Sequence, residues 1–206
     1  KAYNAEATET KNFDAVNAYQ VSAFPATFFI DENGNLVTYG RGMLDFETLE
    51  KMAYESWHSA YDALLGAKQV DYMLDKFQSA AAMREQTQKQ NYTYYLIAQG
   101  KEKIGYCALQ GQGRDLFLSK VYLSEGERGK GLGQRVLAFV LEEAARRGAE
   151  RVYLTVNKNN VRAIRAYEKF GFLREGEECT AIGEGYYMDD YIYAIRLGKR
   201  CEKVSI

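Results

Sequence analysis

Cysteine, histidine and proline are scarce in this chain, and each scarcity removes a class of chemistry. The three cysteines (Cys107, Cys179 and Cys201) are odd in number and nowhere spaced as Cys-x-x-Cys, so neither a disulfide framework nor a zinc ribbon is written into the sequence. A single histidine, His58, leaves no set of imidazoles for a metal, and none is expected to be bound. No apolar run reaches the roughly 20 residues that cross a bilayer, and the first residues show no signal-peptide pattern. An excess of either charge is missing too. Lys and Arg number 27 against 28 Asp and Glu, a net charge of −1 with a pI near 6.0, which gives no global field for nucleic acid or an anionic membrane. A reducing cytoplasm is the expected setting.

What the chain does have is glycine placed between a strand and a helix. The apolar segment Val121-Tyr122-Leu123 runs through Ser124-Glu125-Gly126-Glu127-Arg128-Gly129-Lys130-Gly131-Leu132-Gly133-Gln134 and straight into an amphipathic helix. Glycines at alternate positions let the backbone bend and approach a ligand closely, since no Cβ stands in the way. The unpaired N–H groups of the helix's first turn, at the positive end of its dipole, then offer donors to an anion. The arrangement suits a pyrophosphate. Neither common nucleotide loop fits: Lys130 is followed by Gly131 where a Walker loop needs Ser or Thr, and the spacing is Gly-x-Gly-x-Gly, not Gly-x-Gly-x-x-Gly.

Arg128, Gly131 and Gly133 fill the Arg/Gln-x-x-Gly-x-Gly/Ala signature of the GNAT superfamily of acetyl-CoA-dependent acetyltransferases, and the chain resembles that family again downstream. There a strand with Val152, Leu154 and Val156 in alternation ends in Asn157. After Asn160 comes a short helix, Val161 to Phe170, with Ala163 and Tyr167 on it and Gly171-Phe172 closing it. The resemblance covers approximately residues 46 to 197. It implies an α/β fold of the α+β kind, with a mixed, mostly antiparallel sheet flanked by helices.

Periodicity agrees with that order of elements. Phe46, Leu49, Met52, Ala53, Trp57, Tyr61 and Leu64 predict a helix over 45–65, and a second helical stretch is expected over about 70–88. Tyr92–Ala98 and Lys103–Leu109 read as strands around a Gln99-Gly100-Lys101-Glu102 turn. In the next strand the apolar positions change phase between Leu116/Leu118 and Val121/Leu123, as a β-bulge would produce. Cys107 lies in an apolar run and reads as a buried small hydrophobe. Residues 1–44 stand apart from this pattern. Pro25-Ala26-Thr27-Phe28-Phe29-Ile30, an Asp31-Glu32-Asn33-Gly34 turn and a second strand resemble the C-terminal half of a thioredoxin-like domain, a cis proline leading into a β-hairpin, without its Cys-x-x-Cys half. The expected division is a partial thioredoxin-like segment at 1–44 and an acetyltransferase domain at 45–206. About forty residues hold no core of their own, and Lys1 in place of Met points to a truncated or processed polypeptide.

The family resemblance also implies chemistry: attack of a neutral amine on the thioester of acetyl-CoA, with departure of a thiolate. It assigns pyrophosphate binding to backbone N–H groups of Gly129, Lys130, Gly131, Leu132, Gly133 and Gln134, flanked by the Arg128 and Lys130 side chains. It gives the pantetheine amides to the backbone of Val121, Tyr122 and Leu123, the cofactor's arm to Asn157 and Asn160, and protonation of the thiolate to Tyr167. Tyr167 shares an apolar helix face with Ala163, Ile164 and Phe170, where tyrosine also serves simply as core. No glutamate stands in Leu116-Phe117-Leu118-Ser119, where some family members carry one, so the base stays unassigned; a lone His58 beside Trp57 is more often structural. On the acceptor side Trp57, Tyr61 and Tyr72 suggest a partly closed pocket. The run Gly185-Tyr186-Tyr187-Met188-Asp189-Asp190-Tyr191 resembles a bacterial subgroup that includes polyamine acetyltransferases, with Asp189 and Asp190 as attractors of a cationic amine. The leading expectation is an N-acetyltransferase for a primary amine of a small molecule, a polyamine among the candidates. Protein or peptide N-acetylation and a non-catalytic acyl-CoA-binding sensor or interaction module are the alternatives, and a homodimer is left open.

Residues 1 to 106 contain no cysteine, whereas thiol–disulfide exchange needs a thiolate of lowered pKa with a resolving cysteine beside it. The chain is expected to reduce insulin with dithiothreitol no faster than background. Turnover that disappears on replacing Cys107, Cys179 or Cys201 would overturn this reading of the N-terminal segment.

Overall fold

Alternation along the central strands sends side chains into two different cores, and the helices divide accordingly. The computed structural model describes residues 26–30, 36–41 and 45–198. Its elements are β1 (Ala26–Ile30), β2 (Leu36–Arg41), α1 (Phe46–Leu65), α2 (Ala67–Gln78), α3 (Ala80–Lys89), β3 (Tyr92–Gln99), β4 (Glu102–Gln112), β5 (Asp115–Leu123), α4 (Leu132–Arg146), β6 (Arg151–Asn157), α5 (Val161–Phe170), β7 (Leu173–Gly183) and β8 (Tyr186–Arg196). One sheet runs through them in the order β2-β1-β3-β4-β5-β6-β8-β7. Only the β1–β3 and β5–β6 pairs are parallel, so the sheet is mixed and mostly antiparallel.

Tyr94, Leu96, Tyr106 and Ala108 pack with Leu49, Trp57, Val70 and Met83 in the core beneath α1, α2 and α3. Their strand neighbours Tyr95, Ile97, Cys107 and Leu109 turn to the opposite face and pack with Leu132, Val136, Val140 and Phe172 beneath α4 and α5. The sheet is therefore sandwiched between helical layers, and Cys107 is fully buried within it. Burial pushes the Cys107 thiol far up from its ordinary value, which fits a small hydrophobe rather than a nucleophile. On the same side Glu143 of α4 is buried. Burial opposes its charge, but hydrogen bonds from Arg146, Arg147 and the Tyr95 hydroxyl (2.8 Å) outweigh that and hold its carboxyl down to about 2.

Local chemistry sets the helix boundaries. Asp45 caps α1, one carboxylate oxygen accepting from the Glu47 N–H (3.1 Å) and the other from the Thr48 hydroxyl (2.8 Å). The single helix expected over about 70–88 is two. Ser79 takes an extended backbone (φ −66°, ψ 152°), and its hydroxyl accepts from the Ala82 N–H at 3.3 Å to start α3 afresh. At the other end of the chain β1 runs parallel to β3 from Tyr95 to Gln99 and covers what would otherwise be an open sheet edge. The isomer of Pro25, the turn from Asp31 to Gly34 and Cys201 lie outside the described residues.

The phase change expected in β5 is a bulge. Ala108 lies opposite Lys120 and Leu109 opposite Leu118, which leaves Ser119 as the extra residue. Because side chains alternate with period two, that insertion turns every later residue to the other face. Leu116 and Leu118 join the α4–α5 core, as do Val121 and Leu123 beyond the bulge, while Tyr122 joins the α1–α3 side.

Candidate active site

β5 and β6 are paired at one end only. Asp115, Leu116 and Phe117 lie opposite Arg151, Val152 and Tyr153, and the pairing stops there. Arg151 clamps the closed end, its guanidinium 2.7 Å from Asp115 and 2.8 Å from Glu175, while Phe117 stacks on Tyr153 at 4.8 Å. Past Phe117 the strands part. Among the described residues the β6-facing edge of β5, through Val121, Tyr122 and Leu123, has no strand partner, so an extended ligand bearing amides can pair with it as an added strand would.

β5 then runs through a short 3₁₀ turn (Glu125–Glu127) into the glycine-rich loop. Gly129 and Gly131 both hold φ +82°, a conformation that costs glycine nothing and other residues much. Gly131 is the N-cap of α4 and brings no capping side chain. The N–H groups of Gly129, Lys130, Gly131, Leu132 and Gly133 consequently have no backbone acceptor among the described residues. Nothing lies within 4 Å of where a Cβ would stand at Gly129, Gly131 or Gly133. An open cradle of unsatisfied donors at a helix N-terminus is what a pyrophosphate needs. Arg128 braces the loop, donating from Nε to the Leu123 carbonyl (2.9 Å) and from Nη1 to the Ser59 hydroxyl of α1 (3.0 Å). Its pKa is lowered by burial and then by Arg162 of α5, a second cation close by. Lys130 pairs with Glu127 at 2.8 Å, and Gln134 ties α4 to α5 by donating to the Ala166 carbonyl at 2.9 Å.

A cavity of about 230 Å³ opens over the parted strands on the α1–α3 side. Trp57 and Tyr61 of α1 and Tyr122 of β5 form its aromatic wall, with Trp57 5.3 Å from the Tyr61 ring and 5.7 Å from that of Tyr122. Asn160 reaches this wall from the start of α5. Its Nδ2 donates to the Tyr61 hydroxyl (3.3 Å), and its Oδ1 caps α5 by accepting from the Ala163 N–H (3.2 Å). Tyr167 does not line the cavity. It packs half-buried against the core, 5.8 Å from Phe172, with burial and then Tyr61 pushing its pKa up, so its hydroxyl keeps its proton at neutral pH. After burial, Tyr61 raises the pKa of both Tyr122 and Tyr167, and Tyr167 adds to the rise at Tyr122, which places the three hydroxyls close together.

The two adjacent aspartates go separate ways, as strand neighbours must. Asp190 lines the cavity with 5% of its surface exposed. Burial, and then Glu178, push its carboxyl up to about 6. Asp189 points to the other face, its side chain 53% exposed and paired with Lys158 at 2.6 Å. The structure thus brings Trp57, Tyr61, Tyr122, Asn157 and Asp190 together at the cavity and leaves Asp189 outside it. His58 bridges helices, lying 2.8 Å from Asp62 and 3.3 Å from Asp71. Tyr72 holds the β7–β8 hairpin through the Ile182 carbonyl (2.5 Å) and is also absent from the cavity wall.

One cavity residue escaped the sequence reading. Lys120, 5% exposed, donates from Nζ to Gln86 Oε1 (3.1 Å) and Ser119 Oγ (3.3 Å) and sits over the rings of Tyr92 (4.7 Å) and Tyr94 (5.3 Å). Burial lowers its pKa to about 7. Counting alternation from Leu116 and Leu118 puts position 120 in the α4–α5 core; the bulge at Ser119 turns it into the cavity instead. The phase change and a lone charge in an apolar strand were the available signals.

A profile of the acetyltransferase (GNAT) family matches residues 51–172, more than half of the chain. The chain belongs to that family. It is 30% identical over 151 residues to an uncharacterised N-acetyltransferase of Mycobacterium tuberculosis, a match covering 73% of this chain and 96% of that protein. A spermine/spermidine N(1)-acetyltransferase of Bacillus subtilis is 36% identical over 63 residues, 30% of this chain and 41% of that protein. Among solved structures, a GCN5-related N-acetyltransferase of Rhodopseudomonas palustris superposes with a TM-score of 0.63 at 14% identity, over 86% of this chain and 98% of that one. The PaiA N-acetyltransferase of Thermoplasma acidophilum, solved with coenzyme A, does so at 0.57 and 18% identity, over 74% and 93%. These likenesses show the fold. GNAT enzymes use acetyl-CoA as cosubstrate, and the donor cradle at Gly129–Gly133 together with the unpaired edge of β5 fits its pyrophosphate and its amide-bearing arm.

Gly133 lies inside the first turn of α4 with open space around it. A glutamate there replaces a helical glycine, worth about 0.5–1 kcal/mol to the helix, and places a carboxylate at the favourable dipole end. The same carboxylate occupies and repels the pyrophosphate position. Gly133→Glu is expected to keep or raise Tm while lowering acetyl-CoA affinity by at least about tenfold. Unchanged affinity by calorimetry in the folded variant would remove this turn from cofactor binding.

Proposed function

We propose that this GNAT enzyme acetylates a primary amine of a small molecule by direct attack, with the acceptor held in the cavity beneath α1 and α2. The observation that carries this reading is Asp190, a buried carboxylate that forms no salt bridge among the described residues and lines an aromatic cavity over the unpaired stretch of β5. Such a group draws in an ammonium. At about 6 its pKa is also close enough to neutrality for it to take the amine's proton. Acetyl-CoA supplies the acyl group in activated form, as a thioester. Val121 to Leu123 of β5 receive the pantetheine amides along their unpaired edge, and Asn160 fixes Tyr61 at the junction between cradle and cavity. Tyr167, kept protonated by burial, gives its proton to the departing thiolate, and both titrating groups return to their starting states by exchange with solvent.

The walls formed by Trp57, Tyr61 and Tyr122 favour a small acceptor over a folded protein, which would want an open groove. A non-catalytic acyl-CoA sensor has no use for a desolvated carboxylate in a cavity over the β5 edge. We further infer that β1 and β2, which extend the sheet beyond β3 within a segment whose sequence resembles half a thioredoxin domain, have no part in the transfer chemistry.

The reading is tested by following CoA-thiol release from acetyl-CoA against amines, amino acids, polyamines and peptides. Tyr167→Phe is expected to lower kcat by about 10²-fold with acetyl-CoA affinity nearly intact. Unaltered turnover in the folded variant would make Tyr167 core and nothing more. Asp190 attracts an ammonium only when ionised, so kcat/KM is expected to fall as pH drops through about 6, and Asp190→Asn is expected to remove that limb. Because the fold raises this carboxyl's pKa, its charge costs stability as pH rises from the ordinary carboxylate range to about 6. The Asn variant should accordingly melt no lower than the parent at neutral pH, and an acid limb that persists in it belongs to another group.

A further inference from the structure

Lys120 and Asp190 line the same cavity, carry opposite charges and are each 5% exposed. Neither takes part in a salt bridge among the described residues, with each other or with anything else. They stand on β5 and β8, with β6 between them and the β5–β6 gap beneath. Buried charges of this kind are normally paired, because leaving one unpaired in low dielectric is costly.

Among the described residues no carboxylate is within salt-bridge distance of Lys120. α3 presents Gln86, β3 presents Tyr92 and Tyr94, and β5 itself presents Ser119. The Gln86 amide is fixed in orientation, because its Nε2 donates to the Phe77 carbonyl (3.1 Å) while its Oε1 accepts from the Tyr94 hydroxyl (2.5 Å) and from Lys120. The ammonium thus spends two of its three N–H donors on Gln86 and Ser119. The third is left to the faces of the Tyr92 and Tyr94 rings and to the cavity that Lys120 lines. Burial lowers the Lys120 pKa to about 7, and an anion seated beside it would favour its charged form.

We propose that the acceptor is amphoteric, a small molecule that seats a carboxylate on Lys120 and presents its amine at Asp190. The inference rests on the small-amine reading above and narrows it, because a polycation would bring its own positive charge against Lys120, whereas a molecule of both signs satisfies both buried groups at once.

The test compares acceptors that differ only in a carboxylate: L-phenylalanine against phenethylamine, L-lysine against cadaverine, and 4-aminobutyrate against propylamine, with spermidine as the polycation. In the full chain the carboxylated members are expected to be preferred in kcat/KM by at least about tenfold. In Lys120→Met, close in size to the parent, that preference should collapse towards unity, whereas Asp190→Asn should weaken both members of each pair alike. Should the Met variant fail to fold by circular dichroism, Lys120→Gln takes its place. Preference for spermidine or for the decarboxylated members in the parent, or a preference that survives in the folded Lys120 variant, overturns the amphoteric acceptor and leaves the small-amine reading standing. Acetylation of no amine in the panel overturns both.

Discussion

Two parallel strands that pair over three residues and then separate govern everything functional in this protein. Backbone N–H and C=O groups in a sheet must find partners, and where β5 leaves β6 it finds none within the fold. Arg151, clamped on Asp115 and Glu175, keeps the strands joined at one end so that the opening beyond Phe117 is held and not random. From that single parting follow an edge for an amide-bearing arm and a floor for the acceptor cavity. The strand that parts also runs on into the loop that exposes the first turn of α4. One strand thereby contributes an unpaired edge, an end that runs into the glycine-rich loop and a face that lines the cavity.

The molecule treats buried charge in two opposite ways, and the contrast separates scaffold from site. Glu143 is surrounded by Arg146, Arg147 and the Tyr95 hydroxyl, and its carboxyl is held far below the ordinary range. That carboxylate is saturated and stitches α4 to the sheet. Asp190 and Lys120 are as deeply buried but lack such partners, and both are pushed toward their neutral forms. Their ionised states weaken the fold, as groups reserved for a ligand tend to do.

The strand-turn-helix unit was legible in the sequence because its signal is local: glycines at alternate positions, a preceding apolar strand and an amphipathic helix together define the turn without reference to any other part of the chain. The same holds for Asn160, Tyr167 and Gly171 around α5. What could not be read was facing. Asp189 and Asp190 look alike as a pair of letters, yet β8 turns one outward to Lys158 and the other into the cavity. Lys120 was hidden by the reverse error, since the bulge at Ser119 breaks the alternation from which its face would be counted. The break at Ser79 was likewise masked by helical periodicity continuing on both sides, although a serine N-cap was present.

Arg128 joins two regions that the reaction keeps chemically apart. One nitrogen holds the end of β5 through Leu123, another holds Ser59, two residues beyond Trp57 on the helix that walls the acceptor cavity. The glycine-rich loop and the aromatic wall of the cavity are therefore spliced through one side chain. Loop and helix are thereby held in one fixed spacing, so a variant that loses the Arg128 guanidinium frees both at once.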